Sequence, residues 1–293
     1  MGLLGLAGNY KKIDLSYIKK SLIFVLNNYD IVDLSTDYGI DHNLVNVLKE
    51  INYKNIKSRF IYKIGCEYDE AYLPDELIVK AIDDISYFGI DNIHSILFHR
   101  PNYKKIKSDI KVFKSLKEEY KNISFGICTN SYELYESYNN EIGIDKIQIA
   151  LNPLDYRSNL GLLDALMKRK ISIQVRSVLS NGLISGKYHR NSTFTDTMRA
   201  RLNKVENRDR YKKRIEMSEN IINFIKREFL VPEDEIPIFL YSFFDDLSNI
   251  EFVIRGSSNL EQMKKNLHSV IINNNQKRIL IDKMENEWGC EYV

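Results

Sequence analysis

The feature that most constrains the fold is a regular alternation of apolar strand segments with amphipathic helix segments along the whole chain. Eight segments are candidates for strands, and a helix candidate follows each of them. The strand candidates are residues 2–7, 30–34, 59–64, 93–98, 123–127, 146–151, 171–178 and 250–256. Strands that alternate with helices pair in parallel. Eight such units in 293 residues predict one α/β domain, residues 1–293, folded as a closed (β/α)₈ TIM barrel.

An open, doubly wound sheet is the competing fold. Its dinucleotide-binding fingerprint would follow the first strand, but "GLLGLAG" at residues 2–8 has the wrong glycine spacing and opens no immediate helix. The barrel is therefore the favoured prediction.

Residue types at the helix boundaries predict several helix starts. Asp14 and Asp41 are placed to cap the first two helices. After the last strand, Ser258 and Glu261 have the spacing of a capping box. The helix that they begin would bury an apolar stripe, which consists of Leu260, Met263, Leu267 and Val270.

Polar side chains end three consecutive strand candidates. Asp33 ends the second, Lys63 ends the third and His99 follows the fourth, while Tyr38 lies in the loop after the second. In a barrel the carboxyl ends of the strands meet at one face, where the chemistry of such enzymes lies. Each residue alone is more often structural than catalytic. Together, at the same end of three adjacent strands, they predict an active site.

These four residue types suit a proton-donating site. Tyr38 is a reluctant acid, because the ordinary pKa of a phenol is about 10. A Lys63 ammonium nearby is expected to lower that pKa, and an ionised Asp33 to keep Lys63 charged and aimed. His99 is expected to donate a hydrogen bond to a substrate oxygen and so orient it. A carbonyl that is protonated at oxygen during reduction also needs hydride at carbon, which a nicotinamide cofactor supplies.

Composition excludes several classes of partner. A net charge of +2 is too balanced to indicate a nucleic acid or an anionic membrane, and no apolar run approaches membrane-spanning length. The five histidines and the three cysteines, Cys66, Cys128 and Cys290, form no metal-ligand motif, and such cysteine usage suits a reducing cytoplasm. We therefore expect a cytoplasmic monomer or small homo-oligomer without a metal.

The motifs "VDLSTDYG", "IYKIG" and "ILFHRP" resemble those of the aldo-keto reductases. The likeness continues in order through "FGICTNSYEL", "IQIALNPLDYR", "RSVLSNGLISGKY" and "VIRGSSNLEQMKKNL", and so covers nearly the whole chain. The resemblance implies a (β/α)₈ barrel that reduces a small-molecule aldehyde or ketone with NADPH, with a sugar-related carbonyl as one option. It also implies a catalytic tetrad, which consists of Asp33, Tyr38, Lys63 and His99.

The resemblance further implies which residues hold NADP. Gln148 matches the residue that binds the nicotinamide carboxamide, and the family's Ser-Asn pair nearby corresponds to Cys128-Thr129, with Asn130 one place late. The segment along the pyrophosphate matches three residues, Ser177, Leu179 and Gly182.

The adenosine 2′-phosphate site of the family matches the helix start after the last strand. A free helix start offers N–H groups to a phosphate, and Arg255 is placed to add charge. Gln262 stands where some members have an arginine, so the expected preference for NADPH over NADH is modest. The matching residues are Gly256, Ser257, Ser258, Gln262 and Asn266.

Two other classes of function stay open. The chain could be a nucleotide-binding regulatory subunit of this fold, and the presence of all four tetrad residues argues against a loss of chemistry. Alternatively, Lys63 could form a Schiff base, which requires a neutral lysine and is opposed by a nearby Asp33. Substrate specificity is expected to depend on Tyr10, on residues 66–72 and 100–103, and on the C-terminal tail.

Overall fold

The computed structural model describes residues 1–51, 57–65, 74–189, 191–196 and 199–289. Cys66, Cys290 and the pocket loop predicted at residues 66–72 lie outside these described residues. Within them the chain forms seven strands. They are Ile31–Ser35 (β1), Arg59–Ile64 (β2), Ile93–Phe98 (β3), Ser124–Cys128 (β4), Lys146–Ala150 (β5), Ser172–Arg176 (β6) and Ile250–Val253 (β7).

The same described residues form ten α-helices, and at least one helix follows each strand. They are Leu15–Asn28 (α1), Leu44–Ile51 (α2), Pro74–Phe88 (α3), Ile106–Glu119 (α4), Tyr132–Ile142 (α5), Leu160–Lys168 (α6), Val205–Phe229 (α7), Ile236–Asp245 (α8), Leu260–Lys265 (α9) and Asn274–Asn286 (α10).

All seven strands belong to one sheet, in which they follow one another in chain order. The four pairs from β1 to β5 are parallel, and in the first pair Ser35 lies opposite Lys63. Parallel neighbours need a long crossover, which the intervening helices provide. Most strand residues are buried on both faces, as in parallel sheets that helices cover. The prediction of a parallel α/β fold is confirmed.

The predicted first strand, residues 2–7, is wrong in extent. Gly2 alone forms isolated parallel bridges, one to Asp33 of β1 and one to Gly256, and Leu4–Leu6 turns into a short 3₁₀-helix. Gly5 lies within this 3₁₀-helix, and a Cβ at its position would lie 1.7 Å from Ser257 O. The backbone therefore approaches Ser257 too closely for any side chain.

The caps of the first two helices differ from the prediction. Asp14 stands at the N-cap of α1, but its side chain makes no capping hydrogen bond. Asp41 does not cap α2, because the helix begins three residues later at Leu44. Asn43 caps it instead, and its Oδ1 accepts from the N–H groups of Val45 at 3.0 Å and Asn46 at 3.3 Å.

The helix after β7 is also shorter than predicted. Asn259 caps α9, and its Oδ1 accepts from the N–H of Gln262 at 2.9 Å, so the cap lies one residue after Ser258, where the capping box was expected. The helix ends at Lys265. Of the predicted apolar stripe Met263 is buried, but Leu267 and Val270 lie beyond the helix and are 42% and 38% exposed.

The chain divides into two compact units. The first comprises Met1–Ile149, Ile171–Ile173 and Gly256–Met263, and the second comprises Ala150–Lys170, Gln174–Arg255 and Lys264–Val293. That residues 1–293 form a single domain stays a prediction. In the part of the chain that the structure describes, no helix combines the length and the apolar character that crossing a membrane requires.

Candidate active site

Asp33, Tyr38 and Lys63 meet in the first unit, and their side chains are almost completely buried. Lys63 Nζ donates to Asp33 Oδ1 at 2.7 Å and to the Tyr38 hydroxyl oxygen at 2.6 Å. The Tyr38 hydroxyl donates in turn to Asp33 Oδ1 at 3.3 Å. The structure thus brings three of the four predicted catalytic residues into one hydrogen-bonded triangle.

A tight turn after β1 determines where Tyr38 lies. The N–H of Thr36 donates to Lys63 O at 3.0 Å, and the N–H of Tyr38 donates to Ser35 O at 3.1 Å. Gly39 follows with a φ of 125°, and a Cβ there would lie 1.9 Å from His42 O. Only glycine fits this position, so the order Tyr38-Gly39 directs the phenol back to the end of β2.

Asp33 and Lys63 form a buried ion pair in which each partner keeps its charge. Burial raises the pKa of Asp33, but the Lys63 ammonium and a hydrogen bond from Gln148 outweigh it, so the pKa lies below its usual range. Burial lowers the pKa of Lys63, but the charge of Asp33 outweighs this effect and raises it above its usual range. Lys63 is therefore an ammonium group at neutral pH. The proton-donor hypothesis requires this charge, whereas a Schiff-base mechanism requires a neutral lysine.

The pKa of Tyr38 moves in the opposite direction to the prediction. Burial raises it above the ordinary value of a phenol, and the Lys63 charge offsets only part of that rise. Desolvation dominates because an anionic phenolate in this buried position loses its hydration. Tyr38 is consequently protonated at neutral pH, and Lys63 makes it a less weak acid than burial alone would leave it.

His99 follows β3 directly, and its ring meets the ring of Tyr38 edge-on with centroids 5.7 Å apart. Its Nδ1 lies 2.9 Å from Ser35 Oγ and 3.3 Å from Asp37 Oδ1. Burial, together with the Lys63 charge, lowers the pKa of His99 to about 4 against the opposing effect of Asp37. The fourth predicted catalytic residue is thus beside the triangle and neutral.

Gln148 reaches the triangle from β5. Its Nε2 donates to Asp33 Oδ2 at 2.9 Å, so the carboxylate is held through both oxygens. Cys128 at the end of β4 lies opposite Gln148 in the sheet register, and its Sγ donates to Gln148 Oε1 at 3.6 Å. The residue predicted to hold the nicotinamide carboxamide therefore lies next to Asp33, the carboxylate that pairs with Lys63.

Thr129 and Asn130 follow β4 at the same edge. The N–H of Thr129 donates to Gln148 O at 3.2 Å, and its Oγ1 accepts from the N–H of Ser131 at 3.0 Å. Asn130 is exposed. Among the three predicted residues, Cys128 contacts the Gln148 amide through its side chain, whereas Thr129 contacts this residue through the main chain.

In the second unit, one irregular segment after β6 contains the three residues predicted to lie along the pyrophosphate, which are Ser177, Leu179 and Gly182. Arg214 of α7 holds this segment, because its NH2 donates to Ser180 Oγ at 2.9 Å. The same guanidinium makes a two-pronged contact with Asp155, at 2.7 and 2.9 Å. The segment is therefore fastened to the unit by a buried ion pair.

The start of α9 differs from the prediction of free N–H groups. The N–H and the hydroxyl of Ser258 both donate to Gln262 Oε1, at 2.9 and 3.1 Å. The N–H of Leu260 donates to the Tyr17 hydroxyl at 2.9 Å. These donors are already satisfied by the chain itself, so a phosphate would have to displace the Gln262 side chain to reach Ser258.

The other residues predicted at the adenosine end are buried or paired. Ser257 is buried, and so is Asn266, which follows α9 in the second unit. Arg255 donates to Asn266 O at 2.9 Å and to Asp245 Oδ2 at 2.7 Å. The charge of Arg255 is thus balanced by a carboxylate, which does not support the expectation that it serves a phosphate.

Sequence reasoning missed Ser35, Asp37 and the bond from Gln148 to Asp33. Ser35 could have been found, because residues two apart in a strand face the same side and Ser35 lies two residues after Asp33. Asp37 precedes Tyr38 directly, but no strand periodicity extends into that turn. The partner of Gln148 has no local signal, since it lies 115 residues away in the chain.

The whole arrangement matches a known family. The model of the aldo/keto reductase family matches residues 6–280. The chain belongs to the aldo/keto reductase family. At the family level, aldo/keto reductases are oxidoreductases that act on small-molecule carbonyl substrates with a nicotinamide cofactor. Among curated proteins, none matches this aldo/keto reductase.

Solved structures similar to this aldo/keto reductase cover nearly all of it. A glycerol dehydrogenase from Gluconobacter oxydans has a TM-score of 0.73 at 15% identity, covering 100% of this chain and 93% of its own. An aldo-keto reductase from Bacillus halodurans in its apo form has a TM-score of 0.66 at 17% identity, covering 100% and 92%. A mutant of Gox0644 in complex with NADPH has a TM-score of 0.62 at 13% identity, covering 94% and 87%. These likenesses show the fold, which is the predicted (β/α)₈ class.

Proposed function

We propose that this protein reduces an aldehyde or ketone to an alcohol, with Tyr38 as the proton donor. The observation that carries the proposal is the position of Lys63 Nζ, within hydrogen-bond distance of both the Tyr38 hydroxyl and the Asp33 carboxylate. A buried ammonium group stabilises the phenolate that forms when the proton leaves. Asp33 keeps that ammonium charged and aimed.

Each residue of the site has a separate task in this reaction. Tyr38 gives its proton to the carbonyl oxygen, and the positive charge of Lys63 stabilises the phenolate that Tyr38 becomes. His99 orients the substrate beside Tyr38. NADPH, when bound, supplies the hydride that no side chain can supply.

The residues present fit a nicotinamide at one end of the site. Gln148 and Cys128 are buried polar groups that lie next to Asp33, and an amide and a thiol can hydrogen-bond a carboxamide. We propose that these two residues hold the nicotinamide, while Ser177, Leu179 and Gly182 serve the pyrophosphate. The preference for NADPH over NADH is proposed to depend on Gly256, Ser257 and Ser258 once Gln262 releases Ser258.

The substrate proposal is a small carbonyl compound with hydroxyl groups. The motifs "NPLDYR" and "VRSVLSNGL" are similar to members associated with sugar metabolism. The similar glycerol dehydrogenase is named for a polyhydroxy alcohol, which favours the same class for a first assay.

The test of the proposed function is Tyr38→Phe, assayed by NADPH oxidation against aldehydes, ketones and keto-sugars. The ring stays and the proton donor is lost, so turnover should fall by about two to four orders of magnitude, the usual scale for a positioned acid. Affinity for NADPH, measured by quenching of intrinsic fluorescence, should stay close to that of the wild type.

Tyr87→Phe is the matched control, because it removes a hydroxyl that bonds Lys49 O outside the site, and it should reduce substrates as fast as the wild type. A regulatory subunit would bind NADPH and turn over none of the substrates. A Schiff-base lyase would depend on Lys63 and tolerate Tyr38→Phe. Nearly unchanged reduction by Tyr38→Phe, with NADPH bound normally, would refute the assignment of Tyr38.

A further inference from the structure

A surface cleft lies between α7 and α10, and all of its lining residues belong to the second unit. Its volume is about 420 Å³, which is within the range of small-molecule sites. None of the residues that line it belongs to the predicted tetrad or to the residues proposed for NADPH. The reduction proposed above therefore gives this cleft no task.

Two aromatic side chains provide the apolar part of the cleft. The ring of Phe224 meets the ring of Trp288 edge-on, with centroids 5.3 Å apart. Trp288 is only 5% exposed, yet its indole N–H has no hydrogen-bond partner in the part of the chain that the structure describes. A buried indole N–H normally has an acceptor. Trp288 therefore brings both ring surface and an unused donor to the cleft.

Three polar side chains of α7 line one side of the cleft. Asn220, Asn223 and Arg227 are exposed, and residues three and four positions apart share one face of a helix. Among the described residues, neither amide makes a side-chain hydrogen bond and no carboxylate pairs with Arg227. Seven residues of helix span about 10 Å, so these groups form a row that is longer than a single aromatic ring.

Arg227 determines the charge of the cleft. Lys283 of α10 pairs with Glu287 at 2.5 Å, and its Nζ lies 5.2 Å from the centroid of the Phe224 ring. The charges of this pair cancel, so Arg227 leaves the cleft with an excess of one positive charge. A guanidinium group binds phosphate through two parallel N–H bonds. The complementary ligand is therefore an anion.

We propose that this cleft binds a nucleoside monophosphate. The base lies against Phe224 and Trp288, because every base has a face that stacks on aromatic side chains. Asn220 and Asn223 bind the base edge and the ribose hydroxyls, since an amide is both donor and acceptor. Arg227 binds the phosphate. A simple aromatic acid would leave the amides unused, whereas a nucleotide spans the row from Asn220 to Arg227.

The direct test is a titration with AMP. Trp288 is the one tryptophan of the chain, so tryptophan fluorescence reports on the cleft itself. AMP should change this fluorescence to saturation, and calorimetry should give the same Kd. Adenosine lacks the phosphate and ribose 5-phosphate lacks the base, so each should bind about tenfold more weakly than AMP. If neither method detects AMP, or if all three compounds bind equally, the inference is overturned.

Variants of the cleft locate the bound AMP. Arg227→Gln removes the cation and should weaken AMP binding at least about tenfold, the scale of a hydrogen bond to a charged group. Asn220→Ala and Asn223→Ala should each weaken it several-fold. Arg278→Gln is the matched control, because Arg278 of α10 bonds Asn275 Oδ1 at 3.1 Å outside the cleft, and it should keep the affinity of the wild type.

The same variants separate this inference from the proposed function. None of the changed residues belongs to the proposed reduction site, so all four variants should reduce carbonyl substrates as fast as the wild type and bind NADPH equally well. AMP binding that is unchanged in Arg227→Gln would mean that the nucleotide occupies another site, such as the adenosine end of the cofactor site, and would overturn the inference. A failure of carbonyl reduction would leave the AMP result standing.

Discussion

At the residue scale, the central feature is one acid whose two oxygens have different partners. Asp33 Oδ1 accepts from Lys63 and Tyr38, and Asp33 Oδ2 accepts from Gln148. Burying an ion pair of this kind costs the hydration free energy of both charges. The attraction between the charges offsets that cost only if the remaining lone pairs also accept hydrogen bonds. Gln148 donates the hydrogen bond that the second oxygen of Asp33 needs. We therefore expect it to hold the carboxylate in the orientation in which Asp33 pairs with Lys63.

A double-mutant cycle tests whether Asp33 and Lys63 act as a pair. Lys63→Met and Asp33→Asn should each lower turnover on the order of a hundredfold or more, because each removes support for the same developing phenolate. Residues that act as a unit have non-additive effects. The double variant should therefore be little slower than the slower single variant, measured by steady-state NADPH oxidation. If the two losses of turnover multiply in the double variant, Asp33 does not act through Lys63.

At the element scale, α4 and α5 share a buried titratable contact outside the site. The Tyr138 hydroxyl of α5 donates to Asp109 Oδ2 of α4, and burial raises the pKa of Asp109 to about 7, although the Tyr138 hydrogen bond opposes it. The folded protein thus holds a proton on Asp109 that the unfolded chain releases near its ordinary pKa of 3.8.

This difference predicts how stability depends on pH. Because the folded state binds the extra proton, the free energy of unfolding should fall as pH rises from about 4 to about 7. Asp109→Asn stays uncharged and can still accept from Tyr138, so it should lose this fall and exceed the wild type in stability above pH 7. Urea unfolding at pH 5 and pH 8 measures the change. Asp91→Asn, at an exposed position on the surface, should keep the pH dependence of the wild type. If the free energy of unfolding changes equally with pH in all three proteins, the extra proton is not on Asp109.

The start of α9 is the element that bears on cofactor choice. Gln262 occupies both the N–H and the hydroxyl of Ser258, and Gln262→Ala frees both donors. The variant should bind NADPH several-fold more tightly than the wild type does, while NADH affinity changes little, because only NADPH has the extra phosphate. Fluorescence titration with each cofactor measures this. Wild-type binding of NADH as tight as that of NADPH would contradict the phosphate site itself.

At the scale of the whole molecule, the fold could be predicted because its evidence is repeated. Each strand–helix unit provides its own hydrophobic period, and an error in one unit leaves the others intact. The prediction failed only for the strand of the first strand–helix pair. Its apolar run, residues 2–7, is compatible with a strand, but Gly5 passes against Ser257 O, and a contact across more than 250 positions has no signature in a short window.

The candidate site was predictable in part for the same reason. The carboxyl ends of parallel strands meet at one edge, so strand-end positions alone were enough to select Asp33, Lys63 and His99. The adenosine end was less predictable. A helix start identifies backbone donors, but it does not show that Gln262 and Tyr17 already use them.

The sequence by itself determined the parallel α/β class, the order of the strands and the residue types at their ends, because periodicity and strand length depend on neighbours a few positions apart. The tertiary structure alone decided the pKa direction of Tyr38, the lowered pKa of His99 and the bond from Gln148 to Asp33. Desolvation and hydrogen-bond geometry depend on groups brought together from distant parts of the chain. Burial therefore outweighs the lowering effect of Lys63 on the pKa of Tyr38, although both residues had been identified from their positions.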